Sequence, residues 1–205
     1  MRIRAALDRG LSSSVGGDAA FAEDPVQEQL AKLGDRHEQR LLKPRQATAP
    51  VLQLARAAIP YSTDKLIATD DATRVAFHQK ATVIYQAGFF DGEFHGYADF
   101  VEWSEGGWIV CDAKLARSAK PKALLQLEAY AEQLRRMQLP LSNNVSLLLG
   151  NGEWADFRTD DVLPVFRERR ERLRIVLGVT VPMEEFHTLE ISVFDFHALK
   201  FLGFY

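Results

Sequence analysis

Three charged residues stand out because each interrupts an apolar segment that is typical of a β-strand. Asp112 and Lys114 lie two residues apart in WIVCDAKL, and Asp99 lies in GYADFV, thirteen residues before Asp112. Strand residues alternate between the two faces of a sheet, so Asp112 and Lys114 are expected to point to the same face. Charges on such a face cost desolvation free energy unless they pair or bind a metal ion. The spacing therefore favours either a buried ion pair or a metal site.

The two aspartates are candidates for binding a shared divalent cation. A hairpin that turns at Gly106 and Gly107 would bring Asp99 close to Asp112. Two close carboxylates repel each other, which raises the pKa of one of them, and a divalent cation relieves that repulsion. Oxygen ligands of this kind suit Mg²⁺ or Mn²⁺. The single cysteine, Cys111, excludes an internal disulfide and any four-cysteine metal or iron–sulfur site within the chain.

Two predicted helices carry further candidate side chains. His37 lies on an apolar helical stripe, and Glu38 is its neighbour. Either residue could add a ligand to a metal on the sheet, although a histidine on such a stripe is also a common core residue. Gln126 and Tyr130 are four residues apart on a later helix, so they share a face and could hydrogen-bond to phosphate or to a catalytic group. The same pair could equally face solvent and core on an amphipathic helix.

The segment that follows Lys114 is basic. Arg117, Lys120 and Lys122 come next without an intervening acidic residue. Their position beside the candidate metal site favours contact with a nucleic-acid backbone. A second basic run, RERRERLR at residues 167–174, fits either a solvated helix face with i,i+4 ion pairs or another contact to the DNA backbone.

Hydrophobic periodicity predicts the elements that must position these residues. An apolar stripe predicts a helix that begins near Pro25 and ends near Lys43, before Pro44. Residues 51–58 fit either a helix or a strand. β-Branched and aromatic residues predict strands over residues 81–90, 94–103 and 108–115, which would pair as an antiparallel meander.

The second half of the chain continues this pattern. Pro121 opens a predicted helix that runs to about Met137, and residues 143–150 form a short strand with GEWADF as its hairpin partner. Residues 161–176 form a basic last helix. The order α–β–β–β–α–β predicts an α/β fold with a mixed central sheet flanked by helices. We expect a flexible leader over 1–25 and one domain over 26–177. The tail over 178–205 either packs on the domain or marks a fragment or an altered end of a longer chain.

The composition is that of a globular protein. The 205 residues include 25 Lys and Arg against 28 Asp and Glu, a formal net charge of −3, and 47% of them are hydrophobic. This apolar content excludes disorder of the chain as a whole, and the small net charge gives no global attraction to nucleic acid. No apolar run approaches the ~20 residues of a membrane helix. We therefore expect no membrane partner and a cytoplasmic location.

Four motifs in a fixed order resemble those of one enzyme family. GYADF, CDAK and QLEAY are similar to the three signature motifs of RecB-like nucleases in the PD-(D/E)xK superfamily, and LGDRHE resembles the helical G-x-x-H motif of that family. The similarity extends from about Leu30 to Arg174. The matching positions are an aspartate after glycine (Asp99), D-x-K-L-A-R (from Asp112), a lysine–proline step (Lys120) and Q-L-x-x-Y (from Gln126).

The resemblance implies a restriction-endonuclease-like fold and a metal-dependent nuclease that hydrolyses phosphodiester bonds in DNA processing or repair. It implies that Asp99 and Asp112 hold Mg²⁺ or Mn²⁺, with His37 as the third ligand and Glu38 as its alternative. Lys114 would orient or activate the attacking water and steady the developing phosphate charge.

The resemblance also implies supporting residues and partners. Gln126 and Tyr130 would position Lys114 or the DNA backbone, and the DNA would be single- or double-stranded. Such modules are often fused to a helicase, yet the chain has no G-x-x-x-x-G-K-[ST] phosphate loop, so a helicase would act in trans or in a longer relative. The alternative is a non-catalytic nucleic-acid-binding module, or a fragment of a longer helicase–nuclease.

Overall fold

The computed structural model describes residues 25–59, 61–79 and 81–176. Contacts divide the chain into two units, Met1–Leu33 and Gly34–Tyr205. Within the described residues, the first unit contributes only the beginning of the first helix. The predicted leader before Pro25 and the predicted tail over 178–205 lie outside the described residues.

The described residues form an α/β arrangement of four helices and six strands. The helices are α1 (Pro25–Thr48), α2 (Thr63–Phe77), α3 (Pro121–Arg136) and α4 (Thr159–Val176). The strands are β1 (Val51–Gln53), β2 (Val83–Phe90), β3 (His95–Ser104), β4 (Gly107–Ala113), β5 (Asn144–Leu148) and β6 (Trp154–Arg158). Among these helices, none is long and apolar enough to cross a membrane.

The six strands form one mixed sheet in the order β1-β2-β3-β4-β5-β6. The central strands β2, β3 and β4 pair antiparallel, which confirms the predicted meander. The pairs β1–β2 and β4–β5 are parallel, and β5–β6 is the predicted antiparallel hairpin. Residues 51–58, which fitted helix or strand, therefore contribute a short edge strand.

The turn between β3 and β4 lies one residue earlier than predicted. Ser104 pairs with Gly107, and the two residues between them, Glu105 and Gly106, have φ values of 48° and 88°. A two-residue hairpin with both central residues at positive φ matches the twist of the flanking strands. Gly107 is thus the first residue of β4 rather than part of the turn.

Two hydrophobic clusters pack on opposite faces of the sheet. The larger one joins α2 and α3 to the sheet through buried residues that include Phe77, Leu127, Leu134, Val110 and Leu147. The smaller one places α1 on the other face, where its residues are Leu42, Val83, Tyr85, Phe100 and Cys111. The sheet is therefore flanked by helices, as the sequence predicts.

Helix α2 lies in a part of the chain, residues 61–80, for which the sequence predicts no element. Its first turn is capped by Ser62, whose side chain accepts a hydrogen bond from the Lys65 backbone N–H. The strand β1 pairs only with the first part of β2, and α2 covers the edge beyond it. Thr73 Oγ1 accepts from the Gly88 N–H at 3.0 Å, and Asp70 Oδ1 accepts from the Phe90 N–H at 3.0 Å. These side chains satisfy an edge that would otherwise be unpaired.

Helix α1 continues through Pro44 to Thr48, so the prediction that it ends near Lys43 is wrong. Contacts with the sheet on both sides of the proline hold this part of the helix. Leu42 is 3% exposed in the smaller core, and Arg45 pairs with Glu102 on β3 at 2.6 Å. The Arg45 guanidinium also lies 4.4 Å from the centre of the Phe100 ring. These interactions offset the cost of a proline inside a helix.

The basic run of α4 is engaged in ion pairs with acidic residues of the fold. Arg167 pairs with Glu132 of α3 at 3.0 Å, and Arg170 and Arg174 pair with Glu93 at 2.9 and 2.7 Å. These arginines therefore contribute to packing α4 on the domain. This supports the interpretation of the run as a helix face with ion pairs.

Candidate active site

Asp99 and Asp112 meet where β3 and β4 pair. Phe100 is paired with Cys111, and the next positions along the two strands are Asp99 and Asp112. The two aspartates are 6% and 2% exposed. Asp99 Oδ2 accepts a hydrogen bond from the Ala113 N–H at 3.0 Å, which fixes the Asp99 carboxyl beside the end of β4. The predicted hairpin therefore brings these two carboxyl groups together.

The regular alternation of strand faces breaks at Asp99 and at Gln86, which lies opposite it. Tyr85 pairs with Phe100 and Ala87 pairs with Ala98, so Gln86 and Asp99 occupy the position between two regular pairs. Gln86 has a φ of 62°, a conformation that costs a residue with a side chain about 1–3 kcal/mol. Such interruptions of the pleat change the direction of a side chain. The sheet is locally distorted at the position of its buried carboxylate.

Burial and neighbouring negative charge raise the pKa of Asp99 well above its usual range. Burial is the largest cause, followed by the Asp112 carboxylate and then by Glu38. Asp99 therefore keeps a proton to higher pH than a solvated aspartate. A cation bound beside these groups would remove part of this penalty, because opposite charge favours the ionised carboxylate.

Lys114 lies directly after β4, and its backbone continues the strand pairing. Its N–H donates to the Leu148 carbonyl of β5 at 2.9 Å, and its ammonium forms an ion pair with Asp112. Burial by itself lowers the pKa of Lys114, but the charges of Asp112, Asp99 and Glu38 outweigh it, and the net shift is upward. The Lys114 side chain therefore stays protonated at neutral pH and acts as a hydrogen-bond donor and positive charge.

Helix α1 places the Glu38 side chain near Asp99, Asp112 and Lys114. Its Oε2 accepts hydrogen bonds from the Gln86 amide at 2.8 Å and from the Tyr85 hydroxyl at 3.2 Å. The pKa of Glu38 is raised, mainly by burial, while Arg56 lowers it and the Asp112 carboxylate raises it further. The Asp112 carboxylate thus raises the pKa of both Asp99 and Glu38, and Glu38 raises the pKa of Asp99 further.

His37 is the neighbour of Glu38, but it takes no part in the hydrogen bonds that connect Glu38 with Tyr85 and Gln86 of β2. Its Nε2 is buried and has no hydrogen-bond partner among the residues that the structure describes. Within the described chain, Glu38 is thus the α1 residue that is linked electrostatically to Asp99 and Asp112.

Gln126 and Tyr130 form a pair on α3, as their spacing predicts. The Gln126 amide donates to the Tyr130 hydroxyl at 3.0 Å, and Tyr130 is 2% exposed. Burial, together with the Asp112 charge, raises the pKa of Tyr130, so its hydroxyl stays neutral. The Tyr130 ring packs closely over Gly96 of β3, where a Cβ atom would lie 2.8 Å from it. The Gln126 amide therefore satisfies the buried Tyr130 hydroxyl.

An open cavity of about 410 Å³ lies beside Lys114, between the loop after β4 and the start of α3. Its walls combine apolar and basic residues, including Leu147, Leu149, Lys114, Lys120 and Lys122, with Gln126. Arg117 is exposed in the same loop. Lys114, Lys120 and Lys122 thus give this cavity a positively charged wall, and Lys114 connects it to Asp112.

Three residues of this site were missed by the sequence analysis: Arg56, Tyr85 and Gln86. Gln86 had a usable signal, because it is the polar residue inside the apolar run VIYQAGFF. Tyr85 looked like an ordinary strand residue. Arg56 follows β1 in a loop, and only the folded structure brings it to Gln86, whose Oε1 accepts a hydrogen bond from the Arg56 Nε–H.

The donor set fits a hard divalent cation by its chemistry, since Glu38, Asp99 and Asp112 supply oxygen atoms and clustered negative charge. Among the described residues, no group of three or more His, Cys, Asp or Glu side chains is arranged as a metal site. Instead, Lys114 neutralises Asp112, while Tyr85 and Gln86 hold Glu38.

Comparison of the chain with protein-family models, with curated proteins and with solved structures finds no match.

Proposed function

We propose that this chain is a metal-dependent nuclease that hydrolyses phosphodiester bonds of DNA in processing or repair. In this proposal it has a restriction-endonuclease-like fold of the RecB-like PD-(D/E)xK kind. The observation that carries the proposal is the convergence of Asp99, Asp112 and Lys114 with Glu38 at the end of β4. Acidic oxygens can hold a metal ion that activates water, and a protonated lysine can stabilise the charge that develops in phosphodiester hydrolysis.

Glu38, Asp99 and Asp112 are the residues that would hold Mg²⁺ or Mn²⁺. A bound divalent cation supplies Lewis acidity and lowers the pKa of a coordinated water molecule. The raised pKa values of Asp99 and Glu38 support this role, because both carboxyl groups are destabilised as anions without a compensating cation. His37 remains the alternative helix ligand.

Lys114 would serve as a charged donor rather than as a base. Its upward pKa shift keeps the ammonium protonated, so it can donate to a phosphate oxygen and stabilise the negative charge that develops there. Its attachment to β5 through the Leu148 carbonyl limits its movement, and a fixed donor needs little rearrangement during the reaction.

The remaining residues would position the substrate. Gln126 and Tyr130 would orient the groups around Asp112 through a neutral hydroxyl and an amide. Arg117 and Lys120 in the loop after β4, with Lys122 at the start of α3, would contact the DNA backbone and so hold the strand in register. A helicase, in trans or in a longer relative, would supply the DNA strand.

The test is cleavage of end-labelled single- and double-stranded DNA with Mg²⁺, Mn²⁺ or EDTA. We expect metal-dependent products from the wild type and a loss of at least about 100-fold in Lys114→Ala, in Asp112→Asn and in Asp99→Asn. Lys43→Ala, which removes an exposed lysine of α1, is the matched control and should cleave like the wild type. Circular dichroism of each variant establishes that it is folded.

Two results would overturn the proposal. The first is a folded wild type that leaves both DNA substrates intact in every metal. The second is equal cleavage by the wild type and by all three site variants, which would point to a contaminating nuclease. A folded and inert protein that still binds DNA would instead be a non-catalytic binding module or a fragment of a longer helicase–nuclease.

A further inference from the structure

Arg56 reaches the candidate active site from the β1 side of the sheet. Strands β1, β2 and β4 run in the same direction, and both Arg56 and Lys114 lie beyond the carboxyl ends of their strands. In the sheet order, Gln86 and Asp99 lie on the two strands between them. A positive side chain therefore stands on each side of the buried carboxyl groups.

The Arg56 guanidinium is held in place by two residues. Its Nε–H donates to the Gln86 side-chain oxygen, and it lies 5.5 Å from the centre of the Tyr97 ring. The Tyr97 hydroxyl in turn accepts from the Ala57 backbone N–H at 2.7 Å, which fixes the chain beside Arg56. The Arg56 fork is thus oriented in advance, and an oriented side chain loses less entropy when it binds a ligand.

Gln86 connects this arginine to the carboxyl groups. Its amide oxygen accepts from Arg56, and its amide nitrogen donates to Glu38 at 2.8 Å. Gln86 is 5% exposed and has a positive φ, so a buried residue in a strained conformation fixes Arg56 and Glu38 relative to each other.

The arginine is only weakly engaged with Glu38. The distance between Arg56 Nη2 and Glu38 Oε2 is 4.0 Å, whereas Arg45 approaches its partner Glu102 to 2.6 Å. Charge-assisted hydrogen bonds are much shorter than 4.0 Å, so the Arg56–Glu38 pair is not a closed salt bridge. Half of the Arg56 side chain is exposed, against 17% for Glu38. A planar, exposed guanidinium that does not bind the Glu38 carboxyl group has the geometry to bind a phosphate oxygen pair.

We propose that Arg56 binds a backbone phosphate of the DNA strand on the side of the carboxyl groups opposite Lys114, and that Gln86 is the positioning residue that holds it there. The inference rests on the proposed nuclease function and adds a phosphate subsite to it. The DNA strand would then cross the edge of the sheet at which β1, β2 and β4 end and β3 begins, between two positive side chains.

The test measures binding of labelled single-stranded and duplex oligodeoxynucleotides in EDTA, in an Asp112→Asn background that does not cleave them. We expect Arg56→Ala to weaken binding about tenfold. The logarithm of the binding constant falls linearly with the logarithm of the salt concentration. The steepness of this fall should decrease by about 0.7 for the single strand and about 0.9 for the duplex, which is the value of one phosphate contact. Arg56→Lys should recover part of the affinity. Arg172→Ala, an exposed arginine that pairs with Glu168 on its own helix, should change neither quantity.

The role of Gln86 is tested with Gln86→Gly, because glycine adopts positive φ without strain and keeps the fold. We expect Gln86→Gly to weaken DNA binding when Arg56 is present. In the Arg56→Ala variant it should weaken binding no further, since the Gln86 amide acts through the Arg56 guanidinium. If Gln86→Gly weakened DNA binding equally with Arg56 and with Arg56→Ala, Gln86 would have no role in positioning Arg56.

The outcomes separate this inference from the proposed function. DNA cleavage that depends on Lys114, together with unchanged affinity and salt slope in Arg56→Ala, would overturn the phosphate subsite and leave the nuclease intact. A wild type that neither cleaves nor binds the oligodeoxynucleotides would overturn both.

Discussion

Asp99 and Asp112 are two carboxyl groups that folding places side by side within an apolar sheet. Burial and mutual repulsion raise the pKa of Asp99, so ionising it in the folded protein costs free energy. Lys114 compensates Asp112 by an ion pair, but Asp99 accepts its described hydrogen bond from a backbone amide. The chain thus keeps a group whose ionisation opposes folding, which is typical of functional sites.

The raised pKa of Asp99 determines how the protein's stability depends on pH without a divalent cation. A raised folded-state pKa stabilises the fold below the unfolded-state pKa of Asp, about 3.9, and this contribution is lost as pH rises through the folded-state value. We expect Asp99→Asn, which removes the charge and keeps the shape, to raise the thermal unfolding temperature in EDTA at pH 8 and to change it less at pH 4. Calorimetry at the two pH values measures this.

The control for Asp99→Asn is Asp71→Asn, which alters an exposed aspartate of α2 and should leave the unfolding temperature nearly unchanged. A lower unfolding temperature for Asp99→Asn at pH 8 would contradict the expectation. It would mean that the Asp99 anion is favourably compensated in the folded protein.

At the scale of elements, the end of β4 is positioned by the turn that follows β5. Leu148 accepts the Lys114 N–H, and the Gly150 N–H donates to the Ala116 carbonyl at 2.9 Å. A Cβ atom on Gly150 would lie 2.1 Å from the Leu115 carbonyl oxygen, which is backbone and cannot rotate away. The absence of a side chain at Gly150 therefore allows the segment after Lys114 to pack against β5.

This packing makes Gly150→Ala a test of how the site is held. We expect it to destabilise the fold by about 1–3 kcal/mol, because the Leu115 backbone must move. Displacing Leu115 also moves Lys114, so DNA cleavage should fall more than the folded fraction does. Urea unfolding and the cleavage assay on the same samples measure the two effects.

Gly34→Ala is the matched glycine control. Outside the backbone of α1 itself, no atom of the described residues lies within 4 Å of a Cβ built on Gly34, so alanine should stabilise the helix by about 0.5–1 kcal/mol. Wild-type stability in Gly150→Ala would show that the loop after β4 adapts, and that its packing on Gly150 does not position Lys114.

At the scale of the whole domain, ion pairs connect α4 to the turn between β2 and β3. Arg170 pairs with Asp91 at 3.0 Å and with Glu93 at 2.9 Å, and Gln133 of α3 donates to Asp91 at 2.7 Å. The Asp91 side chain is 9% exposed, and that of Arg170 is 24% exposed. This ion-pair group joins segments nearly 80 residues apart in sequence.

We expect Arg170→Ala to destabilise the fold by about 1–3 kcal/mol at pH 7, because it leaves the Asp91 charge buried without its main partner. Burial alone would raise the pKa of Asp91, but Arg170 and three hydrogen bonds outweigh it and lower the pKa. A lowered pKa gives stability above the unfolded-state value that is lost as pH falls. The variant should therefore lose less stability than the wild type between pH 7 and pH 3, as measured by urea unfolding.

Arg172→Ala is the control for Arg170→Ala. The side chains of Arg172 and its partner Glu168 are both exposed, so their ion pair stabilises the fold by at most about 1 kcal/mol. Equal free energies of unfolding for the Arg170→Ala and Arg172→Ala variants would contradict a stabilising role of the Arg170 ion pairs. Arg170 would then behave as a surface residue.

Much of this architecture followed from local sequence patterns. The apolar strands, the glycine turn before β4 and the helix that opens at Pro121 predicted β2 to β6, α3 and α4 close to their observed positions. The two-residue period of the strands also predicted that Asp112 and Lys114 share a face, and the hairpin predicted that Asp99 would join them. These features depend on neighbours within about fifteen residues, which the linear sequence displays directly.

The rest was decided by contacts between distant segments. Pro44 lies inside α1 because Leu42 and Arg45 are bound to the sheet on either side of it, and α2 forms an edge cover whose partners are on β2. Gln86 links Glu38 to Arg56 within the site, and its positive φ accompanies a break in the alternation of two paired strands. Burial and hydrogen bonding across the sheet outweighed local preference at these positions, since the free energy gained there comes from residues that the sequence places far apart.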